Sequence, residues 1–337
     1  KNTLKNLYAT NCVDSSIEIT EDESMDEEAA EAEQKKQRTL VDASALEGFT
    51  KLETVDLSSN MLTGIDFLAS LESLKSVTLT GNEIASVPAS LKKLTKLTSF
   101  SAANNKITAI AGLKEATALT TLTLDDNKLT SLDGVGKLTK LTSLSASSNE
   151  IADLGDLGGA TALTTLTLNE NKISDVKQIA SLTKLTSINL SKNEISDIST
   201  LGEKLKAVTS LNLSGNDKLT SIAGIDKAFD KAKITSINLS LFDKDDKETE
   251  NKNIKDWEPV FIYTKATVSG MPEAVKKEFD EIKKEESSSK ADSSSKGDSS
   301  SKGDSSSKAD SSADTSVDAS VDASADTSVE ASAESAE

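Results

Sequence analysis

Residues 119–140 read LTTLTLDDNKLTSLDGVGKLTK, and the arrangement of apolar residues in this stretch decides the fold. Leu122 and Leu124 alternate with threonines, which is the period of a short β-strand that buries one face. Later apolar residues, such as Leu129 and Leu132, belong to a return path that is too short for a long α-helix. We therefore expect 3-10 turns in the return, and we expect the strand to stack beside copies of itself.

The same unit recurs along most of the chain. The repeats begin at Leu52, Leu74, Leu97, Leu119, Leu141, Leu163, Leu185, Val208 and Ile234. Successive starts lie 22, 23, 22, 22, 22, 22, 23 and 26 residues apart. A period this regular predicts a solenoid in which each repeat contributes one coil and one strand.

An asparagine follows the strand in all but the last of these repeats. The asparagines are Asn60, Asn82, Asn105, Asn127, Asn149, Asn171, Asn193 and Asn216. The chain turns inward at this point, and a buried turn leaves backbone N–H and C=O groups without partners. Because an amide both donates and accepts hydrogen bonds, we predict that the column is structural rather than a ligand site.

The block LTSINLSKNEISDI at residues 185–198 resembles the 22-residue class of leucine-rich repeats. This class includes the phosphatase-1 regulatory subunits of eukaryotes and the bacterial internalins. The resemblance covers about residues 46–242 and implies an α/β fold, a leucine-rich-repeat solenoid with a parallel β-sheet on its concave face and short 3-10 or loop returns. It implies little about function, because members share the scaffold while their binding surfaces differ.

The N-terminal residues 1–45 are predicted to form a partial repeat with an acidic insertion. Leu4, Leu7 and Ala9 fit the apolar columns, and Cys12 takes the asparagine position, where we expect a structural role. The insertion, residues 18–38, carries nine acidic residues against three basic ones. Its acids precede its bases, which favours a surface helix aligned with its own dipole.

The chain after the repeats is predicted to form a cap and a tail. Phe242 replaces the asparagine of the last repeat, so we expect the asparagine ladder to end there and an apolar plug to begin. In the predicted C-terminal cap, residues 243–286, Trp257 and Tyr263 lie on one side of an apparent strand, and Pro272 opens a helix. Residues 287–337 are rich in Ser, Ala and Asp, with too little apolar mass to fold, and are predicted to be disordered.

Composition limits the classes of partner. The formal net charge is -18, which disfavours sequence-independent binding of nucleic acid. A single cysteine excludes a disulfide within the chain. No apolar run approaches the roughly 20 residues that cross a bilayer, so we expect no transmembrane segment. We expect a monomer with a protein partner.

The sequence also lacks the residues of common catalytic and metal sites. There is no histidine, which excludes Ser-His-Asp and Cys-His catalysis and imidazole metal ligands. Residues 134–137, Gly-Val-Gly-Lys, lack the spacing of a phosphate-binding loop. The cluster of Asp243, Asp245 and Asp246 lacks the glycine and the distal glutamate of a calcium loop. We therefore predict no enzyme activity, no cofactor and no metal site.

Two columns of outward residues on the concave sheet form the candidate binding face. The first column is Thr54, Ser76, Ser99, Thr121, Ser143, Thr165, Ser187, Ser210 and Ser236. The second column is Asp56, Thr78, Ser101, Thr123, Ser145, Thr167, Asn189, Asn212 and Asn238. Neither column holds the Trp, Tyr or Arg that dominate protein-binding hot spots, so solubility of the strands is an equally good explanation of their polarity.

Three functions remain open at this point. The leading one is a non-catalytic protein-interaction module, secreted or at a cell surface. The alternative is an intracellular, cytoplasmic regulatory scaffold similar to the phosphatase regulators, and the third is binding of ice or carbohydrate by the Ser/Thr face. Asn189, Asn212 and Asn238 each begin an Asn-Leu-Ser sequon and are candidate glycosylation sites if a eukaryote secretes the protein.

Overall fold

The structure, a computed structural model, describes residues 4–10 and 40–294. Cys12, the acidic insertion at residues 18–38 and the tail beyond residue 294 lie outside the described residues. By its contacts the chain divides into two units, Lys1–Lys290 and Ala291–Glu337. The architecture below is that of the first unit.

The first unit is built on an 11-stranded, entirely parallel sheet. Its strands are β1 (Asn6–Tyr8), β2 (Thr54–Asp56), β3 (Ser76–Thr78), β4 (Ser99–Ser101), β5 (Thr121–Thr123), β6 (Ser143–Ser145), β7 (Thr165–Thr167), β8 (Ser187–Asn189), β9 (Ser210–Asn212), β10 (Ser236–Asn238) and β13 (Thr267–Ser269). They lie side by side in chain order, as a solenoid requires, except that β13 follows β10 directly. The predicted repeat strands are thereby confirmed. The N-terminal segment also contributes a strand to the sheet, because β1 pairs with β2.

Alternation along each strand separates the core from the surface. The central residue of each repeat strand points inward and is fully buried, as Phe100, Leu122 and Leu144 show, while its two neighbours are only half-buried. Together with the apolar residues of the returns, these side chains form one contiguous core cluster that extends from Ala43 to Phe279. The period of two in the sequence therefore corresponds to an inner and an outer face of one sheet.

The returns are short, as predicted. They contain the 3-10 helices Ser44–Leu46, Asp66–Ser70, Ala89–Lys93, Ala111–Leu113, Val135–Lys137, Leu157–Gly159, Lys177–Ser181 and Ser199–Leu201, and in one repeat the α-helix α1 (Ile225–Ala228). Neighbouring returns pack backbone against backbone. A Cβ atom on Gly112 would lie 2.3 Å from the carbonyl oxygen of Pro88, so only glycine fits at that contact.

The asparagine column is structural, as predicted. In the centre of the array, the Asn149 Nδ2 atom donates to the carbonyl oxygens of Leu124 (3.0 Å) and Ala146 (3.2 Å). The Asn149 Oδ1 atom accepts from the backbone N–H of Leu129 at 2.9 Å. Each amide thus bridges its own turn and the preceding coil, and the same pattern recurs from Asn82 to Asn216.

The end of the array differs from the expectation. Phe242 does not begin a plug. It lies half-buried in a hairpin of β11 (Leu241–Phe242) and β12 (Glu248–Thr249), where the Lys192 Nζ atom is 5.0 Å from its ring centroid. The ladder also continues past it, because the buried Asn251 donates from Nδ2 to the carbonyl oxygen of Leu239 at 2.9 Å. An amide brought in by the hairpin takes the place of the missing one.

Residues of the predicted cap pack on the core, but the elements of this segment differ from the expectation. The segment around Trp257 is a 3-10 helix (Glu258–Val260) rather than a strand, and the cap strand is β13. Both Trp257 and Tyr263 are buried, and the Tyr263 hydroxyl donates to the carbonyl oxygen of Ile225. The helix predicted after Pro272, α2 (Glu273–Ser294), covers the core with Phe279 and continues beyond residue 286.

Candidate functional site

The strand register brings all 18 candidate residues onto one surface, which we call the sheet face. In its centre, Ser143 is in register with Thr121 on one side and with Thr165 on the other. Ser145 is likewise in register with Thr123 and Thr167. The residues of both columns are half-buried, so each presents a polar end while its neighbours cover its flanks. The placement predicted from the sequence agrees with the structure, and the binding role stays a prediction.

The first column carries unengaged hydroxyl groups. Among the described residues, no side-chain hydrogen bond holds the Ser143 hydroxyl or its counterparts in the neighbouring strands, such as Thr121 and Thr165. Each hydroxyl therefore keeps a donor and two acceptor positions free. The first column, together with Thr123 and Thr167 of the second, is therefore able to form new hydrogen bonds without breaking existing ones.

Two residues of the second column, Ser145 and Asn189, belong to a hydrogen-bond network that the sequence analysis did not predict. Asp125, just beyond strand β5, accepts from the Ser145 hydroxyl at 2.6 Å and from the Ser147 backbone N–H at 2.7 Å. The Ser147 hydroxyl donates to Asn169 Oδ1 at 2.8 Å, and Asn189 Nδ2 donates to the same oxygen at 3.2 Å. Side chains from four successive repeats are thereby fixed relative to one another.

The C-terminal end of the sheet face is partly occupied by the hairpin. Asn238 Nδ2 donates to Glu248 Oε1 at 2.7 Å, which ties the last repeat strand to β12. Between this hairpin and β13 lies a cleft of about 1020 Å³, lined by Glu248, Lys252, Met271 and Lys276 among others. Its lining mixes acidic, basic and apolar groups, so it does not select one charge.

The three sequon asparagines lie in register on β8, β9 and β10. The side-chain amides of these three asparagines already make hydrogen bonds in the fold, through different atoms. Asn189 Nδ2 donates to Asn169, and Asn238 Nδ2 donates to Glu248, while in Asn212 the Oδ1 atom accepts from the Ser214 hydroxyl at 2.8 Å. A glycan on Asn189 or Asn238 would therefore replace an existing hydrogen bond, and glycosylation stays a prediction.

A threonine ladder borders the sheet face on the edge where the chain enters each strand. Each hydroxyl donates to a carbonyl oxygen of the preceding repeat, as Thr142 does to Thr120 at 3.0 Å. The ladder comprises Thr98, Thr120, Thr142, Thr164, Thr186, Thr209 and Thr235. The signal was present in the sequence as threonine at the second position of seven successive repeats. Its meaning was not evident, because threonine is also a common surface residue of strands.

The opposite edge, where the chain leaves each strand, carries ion pairs between a lysine of one repeat and a glutamate of the repeat before it. The Lys172 Nζ atom lies 2.8 Å from Glu150 Oε2, and its hydrogen bond holds the pKa of the Glu150 carboxyl below its usual value. The Lys218 Nζ atom lies 2.7 Å from Glu194 Oε2 and lowers the pKa of Glu194 in the same way. Because the folded pKa lies below the unfolded one, both pairs stabilise the fold near neutral pH. That contribution is lost as the pH falls through the folded pKa.

The described residues contain no group of three or more Asp, Glu, Cys or His side chains placed to hold a metal ion. In the same part of the chain, no helix has the length and apolar character needed to cross a membrane.

Comparison with known families agrees with the observed repeat. A family model described as "Leucine rich repeat" matches residues 159–217, and one described as "Leucine Rich repeats (2 copies)" matches residues 117–159. The solenoid is a leucine-rich-repeat array. The resemblance inferred from the 22-residue period is thereby confirmed. A search of curated proteins finds no significant match.

Solved leucine-rich-repeat proteins share the fold. An internalin, InlF of Listeria monocytogenes, is 25% identical with a TM-score of 0.52, over 69% of this chain and 58% of that one. The ectodomain of the Arabidopsis thaliana receptor kinase GASSHO1/SCHENGEN3, solved in complex with Casparian strip integrity factor 2, is 21% identical with a TM-score of 0.51. That match covers 67% of this chain and 30% of the receptor. The chain thus spans less than two thirds of either protein.

Proposed function

We propose that this leucine-rich-repeat protein is a non-catalytic interaction module that binds a protein partner on its sheet face. The observation that carries the proposal is that free hydroxyl groups lie beside side chains that are already fixed. The first column offers free hydroxyls along successive strands, and the network through Asp125 and Asn169 fixes Ser145 and Asn189 of the second column. A preordered surface loses less conformational entropy on binding. Its hydroxyl and amide groups suit a wet interface of modest affinity.

The same observations disfavour ice or carbohydrate as the occupant of this face. A regular hydroxyl lattice would need equivalent free groups in both columns. In the second column, Ser145 and Asn189 are instead engaged with Asp125 and Asn169. The sheet face therefore varies both in the type of polar group and in how many of those groups are free to bond. Such variation is expected of a surface that recognises one irregular partner.

We further place the module outside the cell, either secreted or at a cell surface. The support is the likeness to the internalin InlF, at 25% identity over 69% of this chain. The intracellular regulatory scaffold has less support, since none of the 18 face residues is aromatic.

If a eukaryote secretes the protein, intact mass measured before and after glycosidase treatment will reveal glycans at Asn189, Asn212 or Asn238. An unchanged mass would contradict glycosylation at these three asparagines.

A site-specific photo-crosslinker tests the binding face. It is placed at Ser143, in the centre of the first column, and for comparison at the exposed Gln178 on a return. With proteins of the source organism, we expect one discrete adduct from position 143 and none from position 178. Excess unlabelled protein should compete for the adduct, whereas the Thr121→Arg/Thr165→Arg variant should not. Equal adducts from both positions, or an adduct from position 178 alone, would contradict the proposal.

A further inference from the structure

Five lysines form a row along the edge of the sheet where the chain enters each strand. The residue directly before the first apolar residue of a repeat is Lys51, Lys96, Lys140, Lys184 or Lys233 in alternate repeats. In the repeats between them it is Ser73, Ala118, Ala162 or Ala207. The strands that follow are in register, so these positions are stacked. With neighbouring strands about 4.8 Å apart, the lysines lie roughly 10 Å apart in a row about 40 Å long.

The charges of this lysine row are largely uncompensated. All five side chains are exposed, and among the described residues no carboxylate pairs with Lys51, Lys96, Lys140 or Lys184. Lys233 has one carboxylate neighbour, Asp230, at 3.9 Å. The opposite edge differs, because there Lys106, Lys172 and Lys218 form ion pairs with glutamates of the preceding repeats. The two edges of one sheet therefore differ in electrostatic character.

At the N-terminal end of the row, three lysines surround a cleft. Lys51, Lys93 and Lys96 line a space of about 420 Å³ together with hydroxyl residues that include Thr50, Ser70 and Ser73. One carboxylate, Glu72, also lines it. A second cleft of about 490 Å³, lined by Lys92 and Lys114 and by Glu115, follows along the same edge. Several ammonium groups and hydroxyls around one cleft match the donors that bind an oxyanion such as sulfate or carboxylate.

We propose that the lysine row and its cleft bind a linear acidic polysaccharide, with successive sulfate or carboxylate groups placed on successive lysines. A row of regularly spaced point charges fits a regularly charged polymer. No aromatic residue belongs to the row or to the two clefts, so the edge lacks the stacking surfaces that single-stranded nucleic acids use. The site is separate from the sheet face and goes beyond the proposed protein-binding function.

The net charge of -18 does not oppose this binding. At physiological ionic strength, exposed charges are screened beyond roughly 8 Å, so a ligand on the row responds to the nearest groups rather than to the whole chain. The acid-rich segments at residues 18–38 and 287–337 carry much of the negative charge. The lysine row is thus a local cationic surface on an acidic protein.

Fluorescence anisotropy of labelled heparin tests the proposal with the full chain at roughly 0.15 M salt. The Lys96→Gln/Lys140→Gln/Lys184→Gln variant should bind about 10-fold more weakly, and its dependence of log Kd on log salt should be shallower by about two to three. The matched control is Lys106→Gln/Lys128→Gln/Lys172→Gln, which removes the same charge from the opposite edge and should bind within about twofold of the original protein. Thermal melts followed by Trp257 fluorescence verify that both variants fold.

Other polymers and the control variant decide the outcome. Binding of heparin alone would identify sulfate as the recognised group, and binding of hyaluronan through the same lysines would identify carboxylate; either supports the proposal. Three results overturn it: binding of neither heparin nor hyaluronan by the original protein, equal weakening in the two triple variants, or binding of an oligothymidylate as tight as that of the polysaccharide.

Discussion

The ladder asparagines show how one side chain connects two coils. Asn149 is 8% exposed and makes four hydrogen bonds to backbone groups, at Leu124, Ala146, Ser147 and Leu129. Asn149→Ala would leave the buried N–H of Leu129 without its acceptor, whereas the three carbonyl oxygens keep a second donor. We therefore expect a loss of about 1–3 kcal/mol of unfolding free energy, measured by urea denaturation.

Asn169 is the matched control for this substitution. It lies in the next repeat, but its side chain accepts only from Ser147 and Asn189 on the partly exposed sheet face. Asn169→Ala should cost under about 1 kcal/mol, because water can accept from both donors in place of the lost Oδ1 atom. Similar losses in the two variants would contradict the structural role of the ladder.

For single residues, the sequence predicted the face that a side chain occupies better than the residues that it contacts. Alternation alone placed Leu144 inside and Ser143 outside, because a strand turns successive side chains to opposite faces. It did not predict that Asp125 and Asn169 connect the second column. Those bonds depend on which polar residues are neighbours in adjacent repeats. The pattern of a single repeat contains no information about such pairs.

Among the elements, the cap deviates most from the expectation, and its spacing explains why. Trp257, Val260 and Tyr263 recur every three residues, which is the period of a 3-10 helix rather than of a strand. The aromatic and β-branched composition nevertheless favoured a strand. The asparagine ladder also continues through Asn251. The hairpin inserted before Asn251 shifts it out of the regular repeat spacing, so the sequence pattern did not reveal it.

Gly270 tests how the cap joins the array. Its φ angle is +88°, and a Cβ atom there would lie 2.5 Å from the backbone nitrogen of Ser240. Gly270→Ala therefore combines backbone strain with a clash, and we expect it to cost at least about 1 kcal/mol more than strain alone.

Gly48 provides the comparison, since its φ angle is +89° and no atom lies within 4 Å of the position of an added Cβ. Gly48→Ala should cost about 1–2 kcal/mol through strain alone. The readout for both variants is the midpoint of thermal unfolding. The prediction fails if Gly270→Ala is no more damaging than Gly48→Ala.

For the whole molecule, the array and its cap form one contiguous core from Ala43 to Phe279. We expect this unit to unfold cooperatively without help from residues 295–337, whose sequence offers few core-forming side chains. Deleting them should leave the melting midpoint of Trp257 fluorescence unchanged, because this single tryptophan is buried in the cap. A fall of several degrees would show that the tail stabilises the fold.

The central claim is that one alternation of inward and outward side chains makes both the core and the sheet face. Leu144 and Ser143 are adjacent on β6, with Leu144 fully buried and Ser143 facing outward. Comparing the unfolding free energies of Leu144→Ala and Ser143→Ala tests the claim most directly. We expect a loss of about 2–5 kcal/mol for Leu144→Ala and under about 0.5 kcal/mol for Ser143→Ala. Equal losses would contradict the assignment of the two faces.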